Sequence, residues 1–340
     1  MIFKNKTARE QNMDWAGKNV FITGADGFIG GWIAKTLVER GANVVVVVRD
    51  PRPSSALTLH NIKDKVTIVY GDICDYKLMR RIFNEYEIEY CFHLAAQPLV
   101  QLANNSPLST FETNIKGTWT ILEALRNVAP KNFKAMVIAS TDKAYGTHEQ
   151  LPYTEESELR GIYPYDASKV CADVIARCYA TMYKMPIAVT RKANIYGGGD
   201  MNFSRLVPDT IRSLITGKEL IIRSDGSPQR DFLYIEDAVD GYLTLAEHID
   251  RVKGEAFNFS SGEPISVLDL MKAIIRVYGK EVIPKILGDA RGEIDVQYLA
   301  NQKAANVLGW HPKHTLDQGI AKSIAWYKNH FGMNNEPSRY

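Results

Sequence analysis

Between residues 20 and 30 the chain reads Val20-Phe21-Ile22-Thr23-Gly24-Ala25-Asp26-Gly27-Phe28-Ile29-Gly30. The first four residues are apolar or β-branched, as in a buried strand. Ile33, Leu37 and Val38 then recur at helical spacing. The three glycines therefore fall where a strand gives way to a helix. Glycine lets the backbone pass close to a pyrophosphate, and a helix start offers free N–H groups to the anion. A tight turn that merely packs helix on strand would also use glycine. With this strand before it and this helix after it, the turn favours a dinucleotide. Gly24, Asp26, Gly27, Phe28, Ile29 and Gly30 are the expected contacts, and Gly41 is the expected helix stop.

The alternation continues. Val44 to Val48, Val66 to Tyr70, Tyr90 to Leu94, Met136 to Ala139 and Ile187 to Arg191 read as further strands. Helices are expected over Thr113–Asn127 and Ser168–Met182. Strands alternating with helices imply an α/β fold built on a doubly wound parallel sheet of Rossmann type. After Asn194 the pattern becomes irregular. A smaller, discontinuous α/β substrate-binding domain is expected from 197–230 and 261–333, and Gly197-Gly198-Gly199-Asp200 reads as a hinge-like loop. The dinucleotide-binding domain is expected over 17–196, with a return segment at about 231–260. Residues 1–16 read as a polar tail, and 334–340 as a frayed end.

In such sheets the chemistry gathers at the carboxyl ends of the strands. The second strand ends Val48-Arg49-Asp50. An acid there bonds the ribose of NAD, and an arginine accepts the phosphate of NADP, so NAD or NADP both remain open. Asp72 and Ile73 follow the third strand, within reach of an adenine. Leu94-Ala95-Ala96-Gln97 follows the fourth, small enough for a cofactor to lie on backbone, and Asn114 stands near a helix start. The fifth strand opens into Ser140-Thr141-Asp142-Lys143, which sets a hydroxyl, a carboxylate and an amine side by side. Tyr165 and Lys169 would share one face of the next helix.

Composition narrows the field. Hydrophobic residues make up 45% and charged residues 24%, with a net charge of +2, which gives no argument for nucleic acid or an anionic membrane. The longest aliphatic run falls far short of the roughly 20 residues of a membrane span. The opening residues lack a long apolar region, so no secretory signal is expected and the expected location is cytoplasmic. Cys74, Cys91, Cys171 and Cys178 lack paired spacing and read as buried free thiols in a reducing compartment. No metal site is expected.

Gly24-x-x-Gly27-x-x-Gly30 together with Tyr165-x-x-x-Lys169 resembles the extended short-chain dehydrogenase/reductases, over roughly residues 15 to 330. Within that family, Thr141-Asp142-Lys143 resembles the nucleotide-sugar 4,6-dehydratases, in the Asp-Lys form of the CDP-glucose enzymes. Gly31-Trp32, Phe92 to Val100, Asn194 to Asp200 and Arg205 to Asp209 are similar to the same group. Gln229 to Asp237 follows the general family pattern. Arg291-x-Glu293-x-Asp295 and Leu308-Gly309-Trp310 are similar to GDP-mannose 4,6-dehydratases and to the family at large, and Val48-Arg49 resembles the NADP-using GDP-mannose enzymes.

The resemblance implies a nucleoside-diphosphate hexose substrate, CDP-glucose first and GDP-mannose next, and a tightly held, recycled nicotinamide. Tyr165 is then the base at the 4-hydroxyl, supported by Lys169, and Thr141 bonds the 4-oxygen. Asp142 is the acid for the leaving water and Lys143 the base at C5. Gln97, Asn194, Arg205, Leu206, Arg230 and Arg291 hold the substrate. The implied assembly is a homodimer or homotetramer. A 4-epimerase, leaving Asp142 and Lys143 idle, is the alternative, and a non-catalytic cofactor-binding protein is the third reading.

Overall fold

The structure is a computed structural model and describes residues 13–288 and 294–332. Six strands come first: β1 (Asn19–Thr23), β2 (Asn43–Val48), β3 (Thr67–Tyr70), β4 (Tyr90–His93), β5 (Ala135–Ala139) and β6 (Ile187–Lys192). The chain then leaves this sheet for β7 (Asn194–Tyr196), β8 (Ile221–Ile222) and β9 (Gln229–Tyr234). It returns with β10 (Ala256–Phe259) before β11 (Pro264–Ser266), β12 (Lys285–Ile286) and β13 (Val296–Gln297). The main sheet has seven strands in the order β3-β2-β1-β4-β5-β6-β10, all parallel.

The five valines of β2 are buried, as β-branched residues covered on both sheet faces should be. Alternate side chains feed two cores. Val20, Ile22, Val44, Val46, Phe92 and Val137 pack on one face; Phe21, Val45, Val47, Cys91, Met136 and Ile138 pack on the other. Pairing aligns the carboxyl ends: Thr23 lies opposite both Val47 and His93, and Ala139 opposite Thr190. Strand order reverses between β1 and β4, so a crevice opens beside Thr23 and His93.

A second sheet is built on β9, which pairs β7 and β13 in parallel and β11 antiparallel. The expected return at residue 231 therefore starts later. β9 belongs to this small sheet, and the main-sheet side resumes with the Ile235–Glu247 helix and β10. Within β9, Asp231 and Leu233 are buried while Arg230 and Phe232 are partly exposed, as in a strand covered mainly on one face.

Two other expectations change. Trp15, assigned to the tail, is core: its indole donates to Glu247 Oε1 at 3.1 Å and packs on Tyr90. The Gly197–Asp200 loop is buried and pinned from both sides. Trp32 Nε1 donates to Gly198 O at 2.8 Å, and Tyr327 Oη to Asp200 O at 2.6 Å. A β-carbon on Gly198 would lie 2.3 Å from Trp326, so this loop is glycine because tryptophan fills the space. The expected frayed end at 334–340 and residues 1–12 of the tail lie outside the described residues.

Candidate active site

The helix expected from Ser168 begins at Pro164 and runs to Tyr183, with proline in its first turn. Tyr165 and Lys169 thus share a face. Lys169 Nζ donates to Ala139 O at 2.9 Å, which ties this helix to the end of β5. Burial lowers the Lys169 ammonium to about 8, against the opposing charge of Asp173. Burial also pushes the Tyr165 phenol up, and Asp142 adds to the rise; Arg205 and the Thr141 hydroxyl act the other way. Here Lys169 donates to a carbonyl one turn from Tyr165, and the Arg205 charge also favours the phenolate.

Beyond β5, Thr141 caps a short turn over Asp142–Tyr145, accepting from Lys143 N. Its hydroxyl donates to Asp142 Oδ1 at 2.9 Å. Asp142 is 3% exposed, and burial raises its carboxyl despite the nearby Lys143 and Arg230 charges. A raised carboxyl is what an acid at neutral pH needs. Lys143 is half-buried and faces two carboxyls, Asp142 and Asp166.

The nucleotide end is built as the glycines imply. Gly24 holds φ +74°, and a β-carbon on it would meet Ala95 N at 2.8 Å. One on Gly30 would meet Gly24 O at 2.3 Å. The Phe28–Glu39 helix starts at Gly27 with no side-chain cap, leaving its first N–H groups to an anion. This bare helix start and the close approach of backbone at Ala95 fit a dinucleotide. At the ribose end, Arg49 pairs with Asp50 at 2.7 Å and with Asp72 at 3.8 Å, and Arg52 pairs with Asp26 at 2.6 Å. Asp72 also accepts from Cys74 N, so its carboxylate serves its own turn; Ile73 is buried in the adjoining core.

Asn114 and Gln97 are placed differently from expectation. Asn114 lies in a π-helical turn, Glu112–Lys116, ahead of the Gly117–Val128 helix. Its carboxamide accepts from Gln97 N at 2.7 Å and donates to Gln97 O and Ser168 Oγ. Ser168 in turn donates to Tyr165 O at 2.6 Å. Asn114 is thus a brace between the loop after β4 and the catalytic helix. The Gln97 side chain folds onto Leu99 and Thr110.

A buried histidine joins this brace to the cofactor crevice. Thr23 Oγ1 accepts from Leu94 N and Ala95 N, so its proton goes to His93 Nδ1 at 2.8 Å. Thr118 donates to Asn114 O, so it accepts from His93 Nε2 at 3.1 Å. These bonds select the Nε2–H tautomer. Burial, with the Lys169 charge behind it, lowers His93 to about 3 and keeps it neutral.

The outer residues separate into those that converge and those that do not. Arg205 pairs with the buried Asp200 at 2.9 Å and faces Tyr165. With Leu206 it lines a cleft of about 240 Å³, closed by Leu220, Arg223, Ser224 and Met271. Arg230 donates to Gln229 O at 2.8 Å, and its charge reaches Asp142. Asn194 donates to Asp231 O at 3.3 Å, a bond between β7 and β9. Arg291 lies outside the described residues. The four cysteines are free, but only Cys91 is buried and Cys178 is exposed, contrary to the core role expected for Cys171 and Cys178.

Asp166 escaped the sequence reading. It is 7% exposed, sits beside Tyr165, and is pushed up to about 6 by burial. Its position next to the catalytic tyrosine, on a helix with a buried face, was the available signal. In the sequence His93 reads only as part of a buried strand, and its bonds to Thr23 and Thr118 appear with the fold.

A Rossmann sheet with Tyr165 and Lys169 on its catalytic helix and a threonine at the end of β5 defines an extended short-chain dehydrogenase/reductase. The profile of the family described as GDP-mannose 4,6 dehydratase matches residues 21–323, and the chain belongs to that family. It is 31% identical to the CDP-glucose 4,6-dehydratase of Salmonella typhimurium, over 92% of this chain and 91% of that protein. Among solved structures, the UDP-glucose 4-epimerase of Thermotoga maritima with UDP-glucose superposes with a TM-score of 0.84 at 28% identity, covering 92% and 99% of the two chains. The dTDP-glucose 4,6-dehydratase of Bacillus anthracis in complex with NAD gives 0.81 at 25%, covering 92% and 97%.

Proposed function

We propose that this chain is a nucleotide-sugar 4,6-dehydratase that converts a nucleoside-diphosphate hexose, CDP-glucose before GDP-mannose, to the 4-keto-6-deoxy sugar. The observation that carries the reading is the buried, raised carboxyl of Asp142 between Thr141 and Lys143, facing Tyr165. An epimerase has no use for an acid at that position. Likeness to the Salmonella enzyme supports the CDP-sugar over its competitors.

A bound nicotinamide, NAD or NADP, would take hydride from sugar C4 and return it at C6, so it is recycled and not consumed. Gly24, Gly27, Gly30 and the N-terminus of the Phe28–Glu39 helix would hold its pyrophosphate. Asp50 suits the ribose of NAD and Arg49 the phosphate of NADP; the NAD-bound relative supports NAD. Tyr165 takes the 4-hydroxyl proton, with the Arg205 charge favouring the phenolate. Thr141 hydrogen-bonds the 4-oxygen. Once C4 is a ketone, the C5 proton is acidic and Lys143, unprotonated, removes it. Asp142 protonates the 6-hydroxyl and water leaves. Arg205 and Arg230 would meet the diphosphate, and the cleft beside Leu206 would take the nucleoside.

The chain is further proposed to work as a homodimer or homotetramer in the cytoplasm. Trp119, Val174, Met182 and Tyr183, on the Gly117–Val128 and Pro164–Tyr183 helices, are each close to half exposed or more. Free cysteines suit a reducing compartment, and no helix among the described residues is long and apolar enough to cross a membrane.

The test is one assay on CDP-glucose, GDP-mannose, dTDP-glucose and UDP-sugars, read by mass, with no reductant added. Loss of one water is the expected result. Unchanged mass with a new stereoisomer would move the assignment to an epimerase, and stoichiometric loss of oxidised cofactor to a net dehydrogenase.

A further inference from the structure

An acid stands inside the turn that must receive an anion. Asp26 precedes Gly27, from which the Phe28–Glu39 helix starts. A carboxylate there has two ways to spoil a pyrophosphate site. It can cap the free N–H groups itself, or it can repel the anion by its charge. The fold avoids both. No side chain caps this helix start. The Asp26 carboxylate turns instead to Arg52, with Nη2 to Oδ2 at 2.6 Å.

Backbone contacts set this pair. Ala56 N donates to Asp26 O at 3.0 Å, which docks the loop after β2 onto the turn after β1. Gly31 keeps the docking close, since a β-carbon on it would lie 2.3 Å from that of Ala56. The Asp26 side chain is 21% exposed and that of Arg52 58%. Arg52 follows β2, the strand whose end meets the adenosine ribose of a dinucleotide. Beside it, Arg49 pairs with Asp50 and Asp72, and the Asp26 charge also acts on Arg49. The cluster thus holds three carboxylates and two guanidiniums. Its balance is one negative charge, which suits a ribose 2′-hydroxyl and opposes a 2′-phosphate.

We propose that Asp26 and Arg52 decide the cofactor as a matched pair: Arg52 cancels the acid in the pyrophosphate turn, and Asp26 withholds Arg52 from a 2′-phosphate. The protein then selects NAD although two arginines stand at the ribose end. The pairing matters only where the glycine turn takes a dinucleotide, so the inference rests on that part of the proposed function. The two residues carry opposite signs. Without Arg52 the bare carboxylate faces the pyrophosphate, and NAD is held less well. The cluster is then more negative, and NADP loses more than NAD. Without Asp26 the guanidinium is released, NAD is held no worse, and NADP gains.

The experiment uses the full chain equilibrated with radiolabelled NAD. Unlabelled NADP is titrated in to read selectivity, and a chase of unlabelled NAD reads the release rate. Wild type should prefer NAD. Asp26→Asn should shift selectivity toward NADP by about fivefold, the upper end for a partly exposed ion pair. Asp26→Ser removes the same charge and should give the same shift. Arg52→Gln should speed NAD release by about fivefold and move selectivity the other way. The double variant should return release most of the way to wild type. All these differences should shrink at high salt.

Selectivity unchanged by both Asp26 substitutions overturns the proposal. So does a shift of the same sign in Asp26→Asn and Arg52→Gln, or a wild type that prefers NADP. A wild type that holds neither dinucleotide sinks the cofactor reading and the pair with it. Protein that selects NAD through this pair but dehydrates no nucleotide sugar sinks the dehydratase assignment alone.

Discussion

Arg191 and Asp173 form an ion pair sealed from water, with Nε to Oδ2 at 2.9 Å and Nη2 to Oδ1 at 3.0 Å. Asp173 lies one turn beyond Lys169, and Arg191 lies on β6. The same guanidinium donates to Tyr145 Oη at 3.0 Å and covers its ring. One bidentate fork therefore holds the catalytic helix, the sheet and the loop after β5. Arg191→Met should cost about 3–5 kcal/mol, because it strands a buried carboxylate. Arg191→Met with Asp173→Leu should recover most of that loss. Urea unfolding of the two variants checks both statements, and equal losses would show that the pair does not act as a unit.

A second buried cation gives a pH signature. Lys192 is 3% exposed, donates to Ala238 O at 3.2 Å and lies against the Tyr242 and Phe259 rings. Burial lowers its ammonium well below the ordinary lysine value. The unfolded chain then binds a proton that the folded chain refuses, so stability falls as pH drops below the unfolded lysine value of about 10.4. Lys192→Met should raise Tm, and the gain should be larger at pH 7 than at pH 10. Calorimetry at the two pH values tests this; a gain that did not shrink at high pH would place the effect in packing alone.

The partial reactions should separate by residue. Lys143→Met should still transfer hydride from C4, so reduced nicotinamide accumulates at its absorbance band while little solvent deuterium enters C5. Asp142→Asn should also stall before water leaves, but allow C5 exchange. Tyr165→Phe should give neither signal. Loss of a positioned acid or base typically costs about 10²–10⁴ in rate. Stopped-flow absorbance with deuterium analysis reads all three, and wild-type elimination by Lys143→Met would reassign the C5 base.

Assembly should be visible without substrate. Light scattering at micromolar concentration should give the mass of two or four chains. Trp119→Glu together with Val174→Glu should shift it toward one chain. A monomeric wild type would remove the exposed helix faces from consideration as an interface.

The fold was legible because its strands are short apolar runs and its first turn is held by glycine. Val44 to Val48 could hardly be anything but a buried strand, and Gly24 and Gly30 have no room for a β-carbon. What depends on distant partners was not legible. The Gly197–Asp200 sequence carries the mark of a hinge, yet Trp32 and Tyr327, from both ends of the chain, fix it. Tyr165 and Lys169 were placed by their spacing, but spacing does not say that the lysine would spend its proton on Ala139 O. Arg205, forty residues from Tyr165 in sequence, comes to favour the phenolate only through the fold, where it caps the Leu206–Thr216 helix and pairs with Asp200. β9 read as a return to the main sheet because local pattern fixes that a strand forms, not which strand it joins.

The π-turn at Glu112–Lys116 divides the surface of its helix into two angular phases. A regular helix advances about 100° per residue, so one extra residue in a turn rotates everything beyond it by that amount. Asn114 can therefore point at Gln97 and Ser168 while Ile121, Leu122 and Leu125 point into the core. Deleting a single residue from this turn would leave the composition almost unchanged and the helix better hydrogen-bonded. It would also bring the two segments into phase, and either the carboxamide or the leucine stripe would then face the wrong neighbour. The irregular turn acts as a rotational offset, and the catalytic helix is aligned through it.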